Sequence, residues 1–467
     1  MLLVWNAALF LAARRTRRTL TLEIAVHRHH WAQACAQVAV LLYWGWHVRF
    51  VYAFLPLILA QLIFAYAVDS LLSWSRRGSY TLGFGPLPVV FSINLFLWFR
   101  PDWLHWQFAM VALGFATKEF IRWNREGRST HVFNPSAFPL AVASLALILT
   151  GTTEITLGKE IALTYSHPPH IYLWIFLVSL PGQLLFGVAR MTMPAVVTLY
   201  AVSQLYLNAT GTYLFYDAHI PAPVFLGMHL LFTDPATSPR TDLGRILFGM
   251  LYALGIAAFF VVLTSVGAPT FYDKLLPVPL LNLVAGRIDR LVTSSPLARL
   301  DPSRLGRAWA PVRRNLVYVS IWAGVFALMS AVQGVGDRHP GQFLPFWDAA
   351  CQAGSTRACE YAFVRKYGYC SRGSGWACNE VGIHLAELGR PAGPLFGRGC
   401  DLGFSPACEN LNRDATGAGS WARARPLPAD LPILLRGKEP IRERAPAELY
   451  ALACRQGWPG TCGGSVR

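Results

Sequence analysis

The sequence predicts an all-α chain: a polytopic membrane helix bundle of about 9–10 segments, followed by a C-terminal helical-repeat region stapled by disulfides. Three observations carry this. Hydrophobic residues make up 54% of the 467 and charged residues only 14%, against about 25% charged in soluble domains, and the mean hydropathy is +0.37. Apolar runs of membrane-spanning length recur through the first 335 positions. Of nine cysteines, all but Cys35 follow residue 350. A disordered, fibrous or purely soluble chain is excluded. The net charge of +16 gathers in arginine groups between apolar runs, which reads as a positive-inside pattern. The expected partner is therefore the lipid bilayer, with no nucleic acid.

Residues 1–30 read as a basic N-terminal segment. Met1–Ala13 is too short to span and is followed by Arg14, Arg15, Arg17 and Arg18, so an interfacial segment is expected. Full spans are expected over 31–47, 49–74, 84–100, 103–121, 134–151, 171–189, 192–208, 246–267 and 315–335, with a core of 31–270. The run from Ala222 to Phe232 is too brief to cross alone and ends in Thr233-Asp234-Pro235, so 222–245 reads as a broken or re-entrant helix. On that reading Arg76 and Arg77, then Lys118, Arg122, Arg125 and Arg128, share the cytoplasmic side with Arg14–Arg18. A basic loop over 271–314 joins them, carrying Arg287, Arg290, Arg299, Arg304, Arg307, Arg313 and Arg314. The span 315–335 then delivers the remainder to the opposite side.

That remainder repeats one spacing. Cys351 and Cys359, Cys370 and Cys378, Cys400 and Cys408, and Cys454 and Cys462 are each C-x7-C, with Gly354, Gly373, Gly403 and Gly457 three residues after the first Cys. Ala358, Ala377 and Ala407 precede the second Cys in three pairs, and Thr461 in the fourth. Glycine suits a tight turn between two helix ends, and the flanking cysteines then meet. Paired cysteines imply an oxidising compartment. Zinc would favour C-x2-4-C, and c-type haem needs C-x-x-C-H; neither occurs in this tail. Residues 336–412 resemble cysteine-rich Sel-one-like repeats, which implies binding of periplasmic protein partners. Residues 413–467 read as a linker, rich in Arg, Pro and Ala to about 450, with a final Cys pair.

Two apolar stretches are broken in the same way: Phe133-Asn134-Pro135-Ser136-Ala137, and Phe232-Thr233-Asp234-Pro235-Ala236-Thr237-Ser238. An Asn-Pro or Asp-Pro step starts a new helix, with the polar residue at its cap. Matching breaks in two halves suggest an inverted repeat. These residues, with Gly244-Arg245 and Gly249, resemble the signature motifs of a membrane flavoprotein family. It comprises the D subunit of the Rnf electron-transport complex and the B subunit of the Na⁺-translocating NADH:quinone oxidoreductase. The resemblance covers about residues 30–270. It implies a ten-helix inverted repeat that holds flavin, FMN or riboflavin, and couples electron transfer to Na⁺ or H⁺ movement, with redox subunits or quinone as partners. The family's flavin-bearing Ser/Thr-Gly-Ala-Thr motif is absent, so the flavin is expected to be non-covalent.

The expected cofactor site is Phe133, Asn134, Pro135 and Ser136 with Thr233, Asp234, Pro235 and Thr237. Asn134 and Thr233 are assigned as donors to flavin, and Asp234 as a charge or cation partner. No metal ligands and no stand-alone catalytic residues are expected. Asp69 reads as interfacial, Lys118 and Glu119 as solvated loop ends, Cys35 as a small core residue, and His229 as a hydrogen-bonded histidine. The expected role is a subunit in a bacterial inner membrane, multi-pass, with a periplasmic tail. The alternatives are a flavin-free transporter and a membrane-anchored scaffold that acts through its tail.

Overall fold

A computed structural model describes residues 1–125, 127–294, 296–304, 309–417, 420–435 and 444–462; Arg307 of the expected basic loop lies outside them. The chain is 71% helical. Among the described residues, strand pairing is confined to two short ribbons: Thr21–Ile24 parallel to Ser79–Leu82, and Arg122–Arg125 antiparallel to Arg128–His131. Two compact units form, one from 1–202 and 220–337, the other from 203–219 and 338–467.

In the first unit, three described helices are long and apolar enough to cross a membrane: Leu55–Arg76, Asp242–Ser265 and Pro311–Ala331. These three overlap the expected spans 49–74, 246–267 and 315–335, and several of the other apolar runs are interrupted. The run 84–100 is helical only over Pro86–Phe96, and Leu97 turns to extended backbone. The run 134–151 becomes helical at Ala137, after its Asn-Pro step. The helix Ile171–Phe186 stops at Gly187, whose φ of +63° is left-handed. Its 16 residues cover about 24 Å at ~1.5 Å each. Pro86–Phe96 and Ala222–Leu230 are mostly apolar around their circumference, and both sit in the interior, the second with all nine residues buried.

The segment 222–245, expected as a broken or re-entrant helix, is broken: Ala222–Leu230 ends before the Asp-Pro step and Asp242–Ser265 begins after it. The Tyr172 hydroxyl, at the start of Ile171–Phe186, donates to the Ile220 carbonyl at 2.7 Å. At the other end of that helix, Arg245 donates to the Phe186 carbonyl at 3.2 Å and to the Pro239 carbonyl at 3.0 Å. The segment 220–241 therefore runs the length of its neighbour instead of turning back. The expected loop 271–314 contains an 18-residue helix, Pro277–Ser294. Pro277 packs on Gly255, and Asp289 reaches the Arg240 amide at 3.1 Å, so this helix runs antiparallel to Asp242–Ser265.

Two single-residue expectations also change, and Asp69 gains a partner. Cys35 is exposed. Glu119 is 4% exposed inside the helix His105–Phe120 and pairs with Arg77 at 2.8 Å. Asp69 is 9% exposed and pairs with Lys118 at 3.4 Å. A sequence cannot show that oppositely charged residues on two different helices will meet, and burial follows once they do.

The second unit is a set of short helices joined at the cysteines. The pairs Cys351–Cys359, Cys370–Cys378, Cys400–Cys408 and Cys454–Cys462 close with sulfur–sulfur distances of 2.00–2.10 Å. Gly354, Gly373, Gly403 and Gly457 all have φ between +81° and +99°, so each turn uses a conformation that glycine adopts without strain. Ala358, Ala377 and Ala407 are fully buried in the adjoining first turns, which is why only a small side chain precedes the second Cys. The irregular period has a simple origin. The first two pairs share one helix, Thr356–Ser371, whereas Gly375–Glu387 and Gly393–Asp401 both stand between the second and third. Leu431, Leu434 and Leu435, in the stretch expected as a linker, join Trp347, Trp376 and Trp458 in the core. Asp430 fastens that stretch, accepting from the Ser374 hydroxyl at 2.7 Å and the Trp376 amide at 3.2 Å.

Candidate functional site

Pro135 has no N–H to give, and the residue before a proline is disfavoured in the helical region, so the helix must restart. The Asn134 carboxamide organises the restart. Its Oδ1 accepts from the Ser136 amide at 3.0 Å, the Ser136 hydroxyl at 2.8 Å and the Ala137 amide at 3.1 Å. Those donors begin the helix Ala137–Thr150. Phe133 packs on Phe138, with ring centroids 4.4 Å apart. A Cβ on Gly114 would meet the Pro135 carbonyl at 2.2 Å, so the helix His105–Phe120 passes directly against the break.

The second break is built by the same chemistry. Thr233 donates its hydroxyl to the His229 carbonyl at 2.9 Å, closing the end of Ala222–Leu230. Asp234 accepts from the Ala236 amide at 3.0 Å and the Thr237 hydroxyl at 3.1 Å, forming a tight turn through Pro235. Thr241 then caps Asp242–Ser265 by accepting from the Gly244 amide at 3.1 Å.

The two breaks meet. Asn134 Nδ2 donates to the Leu231 carbonyl at 2.8 Å. Asn282, on the helix Pro277–Ser294, spans both: its Oδ1 accepts from the Asn134 amide at 3.1 Å, and its Nδ2 donates to the Thr237 carbonyl at 3.3 Å. His131 Nε2 lies 3.2 Å from Asp234 Oδ2, with about one fifth of each side chain exposed. All eight expected site residues thus lie in one place. His131 and Asn282 were not selected from the sequence. The signal for His131 was a titratable ring three residues before Asn134. For Asn282 it was a lone amide within Leu280-Leu281-Asn282-Leu283.

This arrangement bears on flavin directly. The single hydroxyl proton of Thr233 is committed to His229, whereas the Asn134 carboxamide gives one of its two N–H groups to Leu231 and uses its oxygen to accept from Ser136 and Ala137. Thr233 therefore does not fit the role of a free donor to a flavin ring, whereas Asn134 keeps a second N–H. Asp234 faces donors from His131, Ala236 and Thr237 rather than an open cation position. The site thus holds two interrupted helices in register around one His–Asp pair. Among the described residues, no three His, Cys, Asp or Glu side chains form a metal-holding group. His229 is buried, with Nδ1 2.7 Å from the Phe225 carbonyl.

The chain matches no protein-family model, no curated protein and no solved structure.

Proposed function

We propose that this chain is a membrane-embedded electron-transport subunit of a bacterial inner membrane, in which the paired breaks couple redox chemistry to movement of Na⁺ or H⁺. Its partners would be redox subunits or quinone, and its tail would face the periplasm and engage proteins there. One observation supports the reading above all others: two helix breaks about a hundred residues apart meet around the titratable pair His131–Asp234. Ionisable groups among apolar helices are costly and are usually kept for function. The flavin part of the reading, non-covalent FMN or riboflavin, rests on the resemblance of the two motifs.

A second reading, a transporter that keeps the architecture without a cofactor, is favoured by the commitment of the Thr233 hydroxyl to the His229 carbonyl. The visible spectrum of detergent-purified protein, taken before and after acid precipitation, separates the two. Flavin bands that leave with the supernatant support the redox reading, and a colourless protein after flavin supplementation supports the transporter. Asp234→Asn is expected to abolish coupled ion movement while leaving bound flavin in place. Unchanged coupling in that variant would remove His131–Asp234 from the mechanism.

A further inference from the structure

Three arginines gather where the helices Ala189–Thr210, Asp242–Ser265 and Pro311–Ala331 begin. Arg190, 3% exposed, is fully committed. It donates to the Gly187 carbonyl at 3.0 Å, to Asn315 Oδ1 at 2.8 Å and to the Asp242 carboxylate. Arg245 holds the Pro239 and Phe186 carbonyls through Nε and Nη1. Among the described residues its Nη2 has no partner. Arg314 approaches Asp242 Oδ2 only at 3.8 Å, and among the described residues its side chain makes no hydrogen bond, its Nε being buried without an acceptor.

Arg245 lies within electrostatic reach of Arg190, Arg314, Asp242 and Asp289. Asp289 is itself engaged by the Arg240 and Thr241 amides and the Thr241 hydroxyl. Three guanidiniums therefore face one closely paired carboxylate, Asp242, and a second that is shared. Partly desolvated like charges gathered around one carboxylate repel unless an anion joins them. Arg313, on the exposed rim, stacks on Trp309 at 5.2 Å.

We propose that Arg314 and Arg245, with Arg190 fixed behind them, form a phosphoryl-binding site that takes the phosphate of an anionic phospholipid headgroup. Guanidinium forks match phosphate oxygens in pairs, and Arg314 and Arg245 have N–H groups left over. Location favours lipid over free phosphate. The cluster lies at the starts of two of the three long apolar helices, which is headgroup depth, and basic pockets between helices at that depth bind anionic headgroups. The inference is independent of any flavin.

The test uses the full chain, delipidated in detergent and returned to nanodiscs of phosphatidylglycerol or phosphatidylcholine, with bound lipid counted by native mass spectrometry. The wild type should retain phosphatidylglycerol, and Arg314→Gln should weaken that retention about five- to tenfold, the loss expected for one guanidinium at a headgroup. Arg314→Lys should recover part of it. Arg287→Gln, an exposed arginine for which no contact to the cluster is seen, should change retention less than twofold. Because the Arg314 side chain makes no hydrogen bond and only a long ion pair with Asp242, its variants should melt within a few degrees of the wild type, so a binding loss will not be a folding loss. Equal retention of both lipids by the wild type, or unchanged retention in Arg314→Gln, overturns the site. If inorganic phosphate alone raises the melting temperature in an Arg314-dependent way while phosphatidylglycerol is not retained, the phosphoryl chemistry stands and the lipid source is overturned.

Discussion

Asn134 and Leu231 are joined by a 2.8 Å hydrogen bond from carboxamide to carbonyl across 97 positions of sequence. The carbonyl belongs to the last turn of a broken helix, where no intrahelical donor remains. The carboxamide belongs to the residue that caps another helix. One side chain therefore closes the end of one helix and starts the next, and the two breaks stand or fall together.

Replacing Asn134 with Ala should destabilise the protein by about 2–3 kcal/mol, because it strands buried partners on both breaks. Thr233→Val, which removes one hydroxyl donor, should cost about 1 kcal/mol. Thermal unfolding in detergent, followed by tryptophan fluorescence, measures both. An Asn134→Ala protein that melts with the wild type would show that the breaks do not depend on this link.

Gly249 sits where the helix Asp242–Ser265 presses on the start of Ala189–Thr210: a Cβ there would meet the Met191 carbonyl oxygen at 2.2 Å. Backbone cannot yield as a flexible side chain does, so Gly249→Ala should cost about 2 kcal/mol. Gly286→Ala, a position with open space, should be neutral or mildly stabilising. Equal melting temperatures for the two variants would contradict the packing.

Eight of the nine cysteines are in disulfides, and Cys35 is free. Denatured, unreduced protein should therefore take a single maleimide label, and reduced protein nine. Each closed loop should contribute about 2–3 kcal/mol to the second unit. Eight labels without reductant would sink the assignment.

His339 makes the second unit sensitive to acid. Burial, and then the neighbouring His219, push its pKa down to about 3 from 6.5. His219 is lowered by burial as well. Their rings lie 4.4 Å apart, with Tyr213 against both, and the His339 Nδ1 accepts from the Gly341 amide at 3.1 Å. A depressed histidine stays neutral when folded and takes a proton when unfolded. Its contribution is therefore whole above pH 6.5 and is lost as pH falls toward 3. Between pH 6.5 and 5 the His339 share of the loss is about 2 kcal/mol. His339→Gln should flatten the pH dependence of unfolding over that window. An unaltered slope would place the acid sensitivity elsewhere.

Much of this molecule was legible in its sequence, for local reasons. Composition alone required apolar helices to find an environment other than water. A Cys-to-Cys interval with glycine at a fixed place required a left-handed turn, and Gly354, Gly373, Gly403 and Gly457 adopt it. Asn-Pro and Asp-Pro steps required helices to stop and restart, and they do so at 134–137 and 231–242. Each conclusion depends on residues within one or two turns of each other, where covalent geometry and hydrogen-bond arithmetic leave few options. Tertiary structure alone decided the rest. It set the meeting of Asn134 with Leu231, the bridge through Asn282 and the pairing of His131 with Asp234. It also set the burial of Asp69 and Glu119 against partners on other helices. It laid 220–241 along the full length of its neighbour, Ile171–Phe186. These contacts join residues tens to more than a hundred positions apart. Their stability comes from partners that local periodicity cannot identify.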